Sequence, residues 1–244
     1  MASDYDDMAA KYVEVKQRPW RKLIEEYSLM KLVGDCRGLR TVDLACGQGY
    51  YTRLLKKAGA AEAHGIDISK EMIALAEAEE RSDPLGISYE TRDIKALADS
   101  PDYDLAMSAW LFVYSKNRAE LNDMCQGIAT RVRSGGRFVT LNSNFETFEK
   151  VRPDYTKYGF RVKVHEPVED GSLMQWIGET STGPIVVDNH YLPHKYYREA
   201  LVEAGFRDVQ FHHLELSPEA TEPEGYWDFM LEHPVAFMID AIKA

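Results

Sequence analysis

Thr41-Val42-Asp43-Leu44-Ala45-Cys46-Gly47-Gln48-Gly49-Tyr50-Tyr51 decides the fold, read with Gly65-Ile66-Asp67-Ile68-Ser69 downstream. A short apolar run ends in an acid and a glycine-rich turn, and an amphipathic helix follows. A second apolar run then ends in another acid. This pattern places a nucleoside-cofactor site at the strand ends of a parallel sheet. A dinucleotide fingerprint needs three glycines, the third for close helix–strand packing beside the pyrophosphate. Here Gly47 and Gly49 are present, but Thr52 stands in the third position. The turn passes a ligand closely without a full pyrophosphate cradle. Asp67 sits where a carboxylate accepts hydrogen bonds from ribose hydroxyls, and it would repel a 2′-phosphate.

Outward from this stretch the chain alternates helix and strand. Strands are predicted near 41–44, 63–66, 87–90, 105–108 and 138–141, with helices near 51–58, 70–80 and 118–132. Alternation of this kind implies a parallel sheet covered by helices on both faces. Before it, Arg18-Pro19-Trp20 opens a helix in which Leu23, Ile24, Tyr27 and Met30 share one face. A first helix capped by Ser3 is expected through Tyr12 and Val13. After Asn144 the pattern changes. Residues 160–165, 173–177 and 185–191 read as strands, with Asp170-Gly171 and Thr182-Gly183-Pro184 as turns. A helix over 194–204, a strand over 206–214, a short helix over 224–232 and a closing strand over 235–241 complete the chain.

The 244-residue length fits one domain with a substantial core, and 45% hydrophobic with 28% charged residues is ordinary for a globular protein. The formal net charge of −11 argues against a nucleic-acid partner, because phosphate binding needs clustered Lys and Arg. No apolar segment approaches the length needed to span a bilayer, and the acidic N-terminus lacks the features of a signal peptide. Cys36, Cys46 and Cys125 suggest neither a disulfide framework nor a zinc site. A cytoplasmic protein, monomer or homodimer, with no membrane partner and no metal is expected.

Asp43 to Gly49 resembles the first motif of the class I S-adenosylmethionine-dependent methyltransferases, and Gly65 to Ser69 resembles their second. Arg92-Asp93-Ile94 resembles the end of the family's third strand, and Ser134-Gly135-Gly136-Arg137-Phe138 its turn into the fifth. The resemblance covers nearly the whole chain in order and spacing. It implies a Rossmann-like α/β fold: a mostly parallel seven-stranded sheet with helices on both faces, an N-terminal helical lid and an antiparallel extension. Residues 1–244 then form a single domain: the lid over 1–38, the cofactor-binding core over 39–144, the substrate-side extension over 145–192, and a C-terminal helix and strands over 193–244. The implied cofactor is S-adenosylmethionine, with S-adenosylhomocysteine as product. Pro19 to Ile24, Ala45 and the Asn-rich end of the fifth strand are similar to small-molecule methyltransferases of microbial secondary metabolism, such as the toxoflavin-type azapteridine N-methyltransferases.

The resemblance assigns roles. Ala45, Gly47 and Gly49 approach the methionine portion through backbone, with Asp43 bonding backbone or the amino group nearby. Asp67 takes the ribose and Ile68 lies against the adenine. Asp93 accepts from the adenine's exocyclic amine, Ile94 lines the ring, and Ser108 and Ala109 contact the cofactor by backbone. Tyr12 and Arg18, on the lid, suit the methionine carboxylate. For the acceptor, Trp20, Trp110, Tyr114, Trp176, Tyr191 and Trp227 supply flat surfaces, and Asn142 and Asn144 supply polar contacts to a heterocycle. Each of these also has an ordinary reading as a core aromatic or a polar turn residue. His190 is the candidate base, since an imidazole takes a proton near neutral pH. The expected reaction is methyl transfer to N or O of a small aromatic or heterocyclic acceptor. Thiol S-methylation, a non-catalytic binding protein on the same fold and, more remotely, an NAD-dependent oxidoreductase stand as alternatives.

Overall fold

The computed structural model describes residues 11, 14–96 and 102–244. Ten strands are described: β1 (Arg40–Leu44), β2 (Glu62–Asp67), β3 (Ser88–Thr91), β4 (Tyr103–Ala109), β5 (Val132–Ser143), β6 (Phe160–Val164), β7 (Leu173–Gly178), β8 (Ile185–His190), β9 (Phe206–His212) and β10 (Ala236–Lys243). A π-helical stretch, Arg21–Glu26, runs into α1 (Tyr27–Val33). The other helices are α2 (Tyr50–Lys57), α3 (Lys70–Ser82), α4 (Arg118–Ala129), α5 (Thr147–Lys150), α6 (His194–Glu203) and α7 (Asp228–Glu232).

Seven strands form one sheet in the order β3-β2-β1-β4-β5-β10-β9. Pairings from β3 to β5 are parallel, and β10 runs antiparallel to both β5 and β9. The order reverses between β1 and β4, and a crevice opens at their carboxyl ends, where such sheets bind ligands. Strand alternation feeds two apolar layers. Leu105, Met107, Val139 and Leu141 face one with Trp20, Ile24 and Leu55, while Val42, Leu44, Ala106 and Phe138 face the other with Leu121 and Leu201. Burial on both faces explains why the central strands read as continuous apolar runs.

The sequence pattern carries helix α4 to Val132, but the helix ends at Ala129 and Val132 already pairs with Tyr103. Ser134-Gly135-Gly136 therefore lies within β5 rather than in a turn before it. The register slips there, from Tyr103↔Val132 to Leu105↔Arg137, and the glycines let the strand bulge. Helix α7 is likewise shorter than expected, because Gly225 turns the chain at φ 78° before Trp227 caps it.

Strands β6, β7 and β8 form a separate antiparallel sheet. Phe160 and Met174, on its inner face, are buried in the same layer as Trp20. Arg161, Gln175 and Asp188 lie on the other face, as two-residue alternation requires.

Candidate functional site

Two non-glycine residues with positive φ stand on either side of the crevice. Ala45 follows β1 at φ 62°, and Trp110 follows β4 at φ 65°. The left-handed region costs a side-chain-bearing residue about 1–2 kcal/mol, and such strain collects at binding sites. Between them the turn is held by Cys46 N–H donating to the Ile66 carbonyl at 3.0 Å and Gly49 N–H donating to that of Cys46 at 3.0 Å. The two glycines serve different ends. At Gly47 (φ 55°) a side chain would meet open space, so its lack leaves room for something not of the chain. At Gly49 (φ 83°) a Cβ would sit 2.4 Å from the Tyr89 hydroxyl, so this glycine makes room for that ring. Gly65 serves the same ring, and the Tyr89 hydroxyl is buried without a partner.

Asp67 ends β2 facing the turn. One carboxylate oxygen accepts from Gly47 N–H at 2.8 Å and the other from Ser69 N–H at 2.8 Å. An ionised carboxylate offers about four acceptor sites, so roughly two remain for a ligand's hydroxyls. Ser69 caps α3 by accepting from Met72 N–H. Ile68 beside it is 69% exposed, an apolar face with nothing packed on it. Asp93 accepts from Lys95 N–H at 2.9 Å, whereas Ile94 is buried in the core with its carbonyl against Gly127.

Asp43 stands near the end of β1 beside Thr52. It is buried, it accepts from the Thr52 hydroxyl at 2.7 Å, and desolvation pushes its carboxyl up to about 7 against the pull of that bond. Thr52, the residue that replaces the third glycine, is thus the partner of this acid. Ser108 is wholly buried and pairs with Thr140 at 2.9 Å, so it offers the crevice no side chain.

The N-terminal segment supplies a cluster that the motifs did not disclose. Glu25 is 2% exposed and its carboxylate accepts from the Tyr51 hydroxyl at 2.8 Å, from Trp110 Nε1 at 3.0 Å and from Arg21. Burial would raise its carboxyl, but Arg21, Lys16 and the two side-chain donors outweigh burial and hold it below its ordinary value. A small cavity of about 40 Å³ lies between this cluster and the turn, lined by Lys16, Asp43, Ala45, Gly47, Tyr51 and Trp110 among others. Ligand pockets usually run to roughly 300–1,000 Å³, so this space alone does not hold a nucleoside. The only sequence hint of the cluster was an Arg and a Glu four residues apart within an apolar helix face.

Several expected site residues are placed elsewhere. Arg18 donates to the Glu179 carbonyl and lies against Gly159, on the extension rather than at the glycine turn. Tyr12 lies outside the described residues. Asn142 is buried, its amide accepting from Phe112 N–H at 3.1 Å and donating to Thr140 Oγ1 at 3.0 Å; it fixes the turn after β4. Asn144 donates to the Pro234 carbonyl at 3.1 Å. Tyr191 and Trp227 are core residues, the latter stacked on Tyr158 and bonded to Glu222. Tyr114 is half exposed on the turn after β4. His190 bonds the Gly171 carbonyl at 3.0 Å through Nδ1. Trp176 pairs with Val187, three residues before His190, so alternation puts the histidine on the face of the small sheet opposite that tryptophan. One pocket cannot hold both. Trp20, Trp110 and Trp176 do converge, around the guanidinium of Arg21 at 4.2, 5.2 and 5.4 Å from their ring centres.

Residues 41–136 match the family model of a methyltransferase domain. A ubiquinone biosynthesis O-methyltransferase from Methylococcus capsulatus is 32% identical over 115 residues, which are 46% of this chain and 47% of that one. The chain thus spans about half the length of the curated relatives it matches. Two solved structures are similar along nearly their whole length. An S-adenosylmethionine-dependent methyltransferase from Mesorhizobium loti has a TM-score of 0.61 at 22% identity, covering 90% of this chain and 97% of that one. One from Clostridium acetobutylicum has a TM-score of 0.67 at 14% identity, covering 97% and 99%.

Proposed function

We propose, on the premise that the fold is the Rossmann-like methyltransferase fold, that the protein transfers a methyl group from S-adenosylmethionine to nitrogen or oxygen of a small aromatic or heterocyclic metabolite. The observation that carries this is the cradle at the sheet's reversal point. Ala45 and Gly47 present backbone beside open space, Asp67 keeps unused acceptor capacity, and Ile68 offers a bare apolar face. Gly47 would border the methionine portion, Asp67 the ribose and Ile68 with Asp93 the adenine. The cofactor supplies a carbon activated by a sulfonium, open to in-line displacement. The residues of the chain then need only hold the acceptor in line and exclude water, which is worth roughly 7–11 kcal/mol. That His190 lies across the small sheet from Trp176 is compatible with such a reaction, because a dedicated base is optional for it.

The acceptor is read from the convergence of Trp20, Trp110 and Trp176, of which the partly buried Trp110 and Trp176 offer flat apolar surface and the buried Trp20 backs them. A toxoflavin-type acceptor and the quinone precursor suggested by the relatives' name both fit that description. We further infer a protein of the cytoplasm, monomeric or dimeric; among the described residues no helix is long and apolar enough to cross a membrane.

Parallel calorimetric titrations with S-adenosylhomocysteine, S-adenosylmethionine and NAD test the cofactor. Micromolar binding of the two sulfur nucleosides alone is expected. Binding of NAD alone overturns the reading. Turnover only on simple thiols would move the acceptor to sulfur, and cofactor binding without turnover on any acceptor would mark a binding protein.

A further inference from the structure

Seven buried side-chain nitrogen or oxygen atoms among the described residues lack a hydrogen-bond partner, and three of them are N–H donors within four residues: Arg18 Nε, Trp20 Nε1 and Arg21 Nε. A buried donor left unpaired costs about 1–3 kcal/mol, and native proteins rarely leave them in clusters without a use. Arg18 lies against the extension, but Trp20 and Arg21 belong to the aromatic group at the crevice. Trp20 is 1% exposed, so its indole N–H finds no solvent. Arg21 meets Glu25, yet Glu25 also takes Tyr51 and Trp110, and the Nε–H of Arg21 stays unused. The ion pair fixes the guanidinium among three indole rings and leaves it a donor to spare.

Resting on the function proposed above, we propose that Trp20 and Arg21 determine acceptor specificity by recognising an oxyanion on a planar aromatic acceptor. The indole N–H and the Arg21 Nε–H donate to the anionic oxygens, and Trp110 and Trp176 flank the ring. Arginine suits this task because its planar fork matches a carboxylate or phenolate and stacks on aromatic faces. The chemistry offered is mainly donors, since Glu25 already accepts from Tyr51, Trp110 and Arg21. A cationic amine would have to displace Arg21 from the indoles. Trp110 lines the small cavity at the turn whereas Trp20 and Arg21 lie behind it, so the proposal requires the segment carrying these donors to open toward the crevice when the acceptor enters.

The test is calorimetric titration of the full-length protein, saturated with S-adenosylhomocysteine, with salicylate, its neutral analogue salicylamide and the cation benzylamine. Salicylate should bind about tenfold more tightly than salicylamide, the worth of one charge-assisted hydrogen bond. Benzylamine should bind most weakly. Trp20→Phe keeps the ring and removes its donor; Arg21→Lys keeps the charge beside Glu25 and removes the fork. Each should weaken salicylate about fivefold or more while S-adenosylhomocysteine binding stays within about twofold. Equal binding of salicylate and salicylamide by the unaltered protein overturns the inference, as does tightest binding of benzylamine or full salicylate affinity in both variants. The comparison of probes on the unaltered protein holds even where a variant fails to fold. S-adenosylhomocysteine binding without salicylate binding sinks this inference alone, and selective salicylate binding without nucleoside binding sinks the methyltransferase reading alone.

Discussion

At the ends of β1 and β2 the cradle falls between Asp43 and Asp67, and most of its contacts are made by backbone: the turn amides, the open space at Gly47, the bond from Gly47 N–H to Asp67. Across the crevice, the aromatic group draws Trp20, Trp110 and Trp176 from three remote segments and fixes them through side chains, with Glu25 as the common acceptor for Arg21, Tyr51 and Trp110. The first region depends on local geometry and should tolerate the loss of its carboxylate without unfolding. The second is a buried polar network, which is costly when any member is removed. Function and stability should therefore separate between them.

The largest expected effect is on the network side. Glu25→Ala leaves Arg21 without its counter-charge and Tyr51 and Trp110 without their acceptor, and should cost about 3–5 kcal/mol of stability. Chemical denaturation measures this, and a loss under about 1 kcal/mol would show the cluster to be solvent-bridged rather than dry. On the cradle side, Asp67→Ala should leave the midpoint of unfolding nearly unmoved and weaken S-adenosylhomocysteine binding by roughly 1.5–3 kcal/mol. Unchanged affinity in the folded variant rejects its ribose role.

The two glycines sharpen the contrast within the cradle itself. Gly49→Ala should cost about 1–3 kcal/mol, since it adds left-handed strain and drives a methyl group into Tyr89. Gly47→Ala meets open space and should cost only about 1 kcal/mol of stability, from the left-handed backbone alone. It should nonetheless weaken cofactor binding more than Gly49→Ala does, and a comparison of denaturation with calorimetry decides the order.

The smallest change is expected for Asp43→Asn near pH 6, where the amide mimics the protonated acid that the fold already favours. Burial raises this carboxyl from an ordinary 3.8 to about 7. Between those values the folded state keeps a proton that the unfolded chain has released, so stability from this group is fully present at lower pH and is lost as pH rises toward 7. Thermal unfolding across pH 4 to 8 should therefore show a flatter profile in Asp43→Asn; an unaltered slope would mean that Asp43 is ionised and hydrated.

Much of the cradle was legible because its signals are local. Gly47, Asp67 and Ile68 follow from a strand, a turn and a spacing that one segment carries. The small antiparallel sheet was legible too, through its turns. The positions of His190, Asn142 and Trp227 were not. A histidine at the end of a strand faces one side or the other according to register, and only the pairing of Trp176 with Val187 fixes that. Asn142 reads as a polar strand end, but the chain after β4 turns back over it and claims its amide. Likewise Gly49 reads as a ligand glycine, and only the structure shows that Tyr89 also requires a glycine there.

By itself the sequence determined the alternating sheet and the acid and glycines at its strand ends, because periodicity and turn chemistry act over a few residues. Tertiary structure alone decided which aromatic residues meet, that Thr52 satisfies Asp43, that Ala45 and Trp110 both take left-handed backbone, and that Glu25 gathers three donors. Those outcomes depend on packing between side chains that the local pattern does not link, from Thr52 and Asp43 nine residues apart to Glu25 and Trp110 eighty-five apart. The free energy of such contacts is set by burial and register rather than by the identity of either partner in isolation.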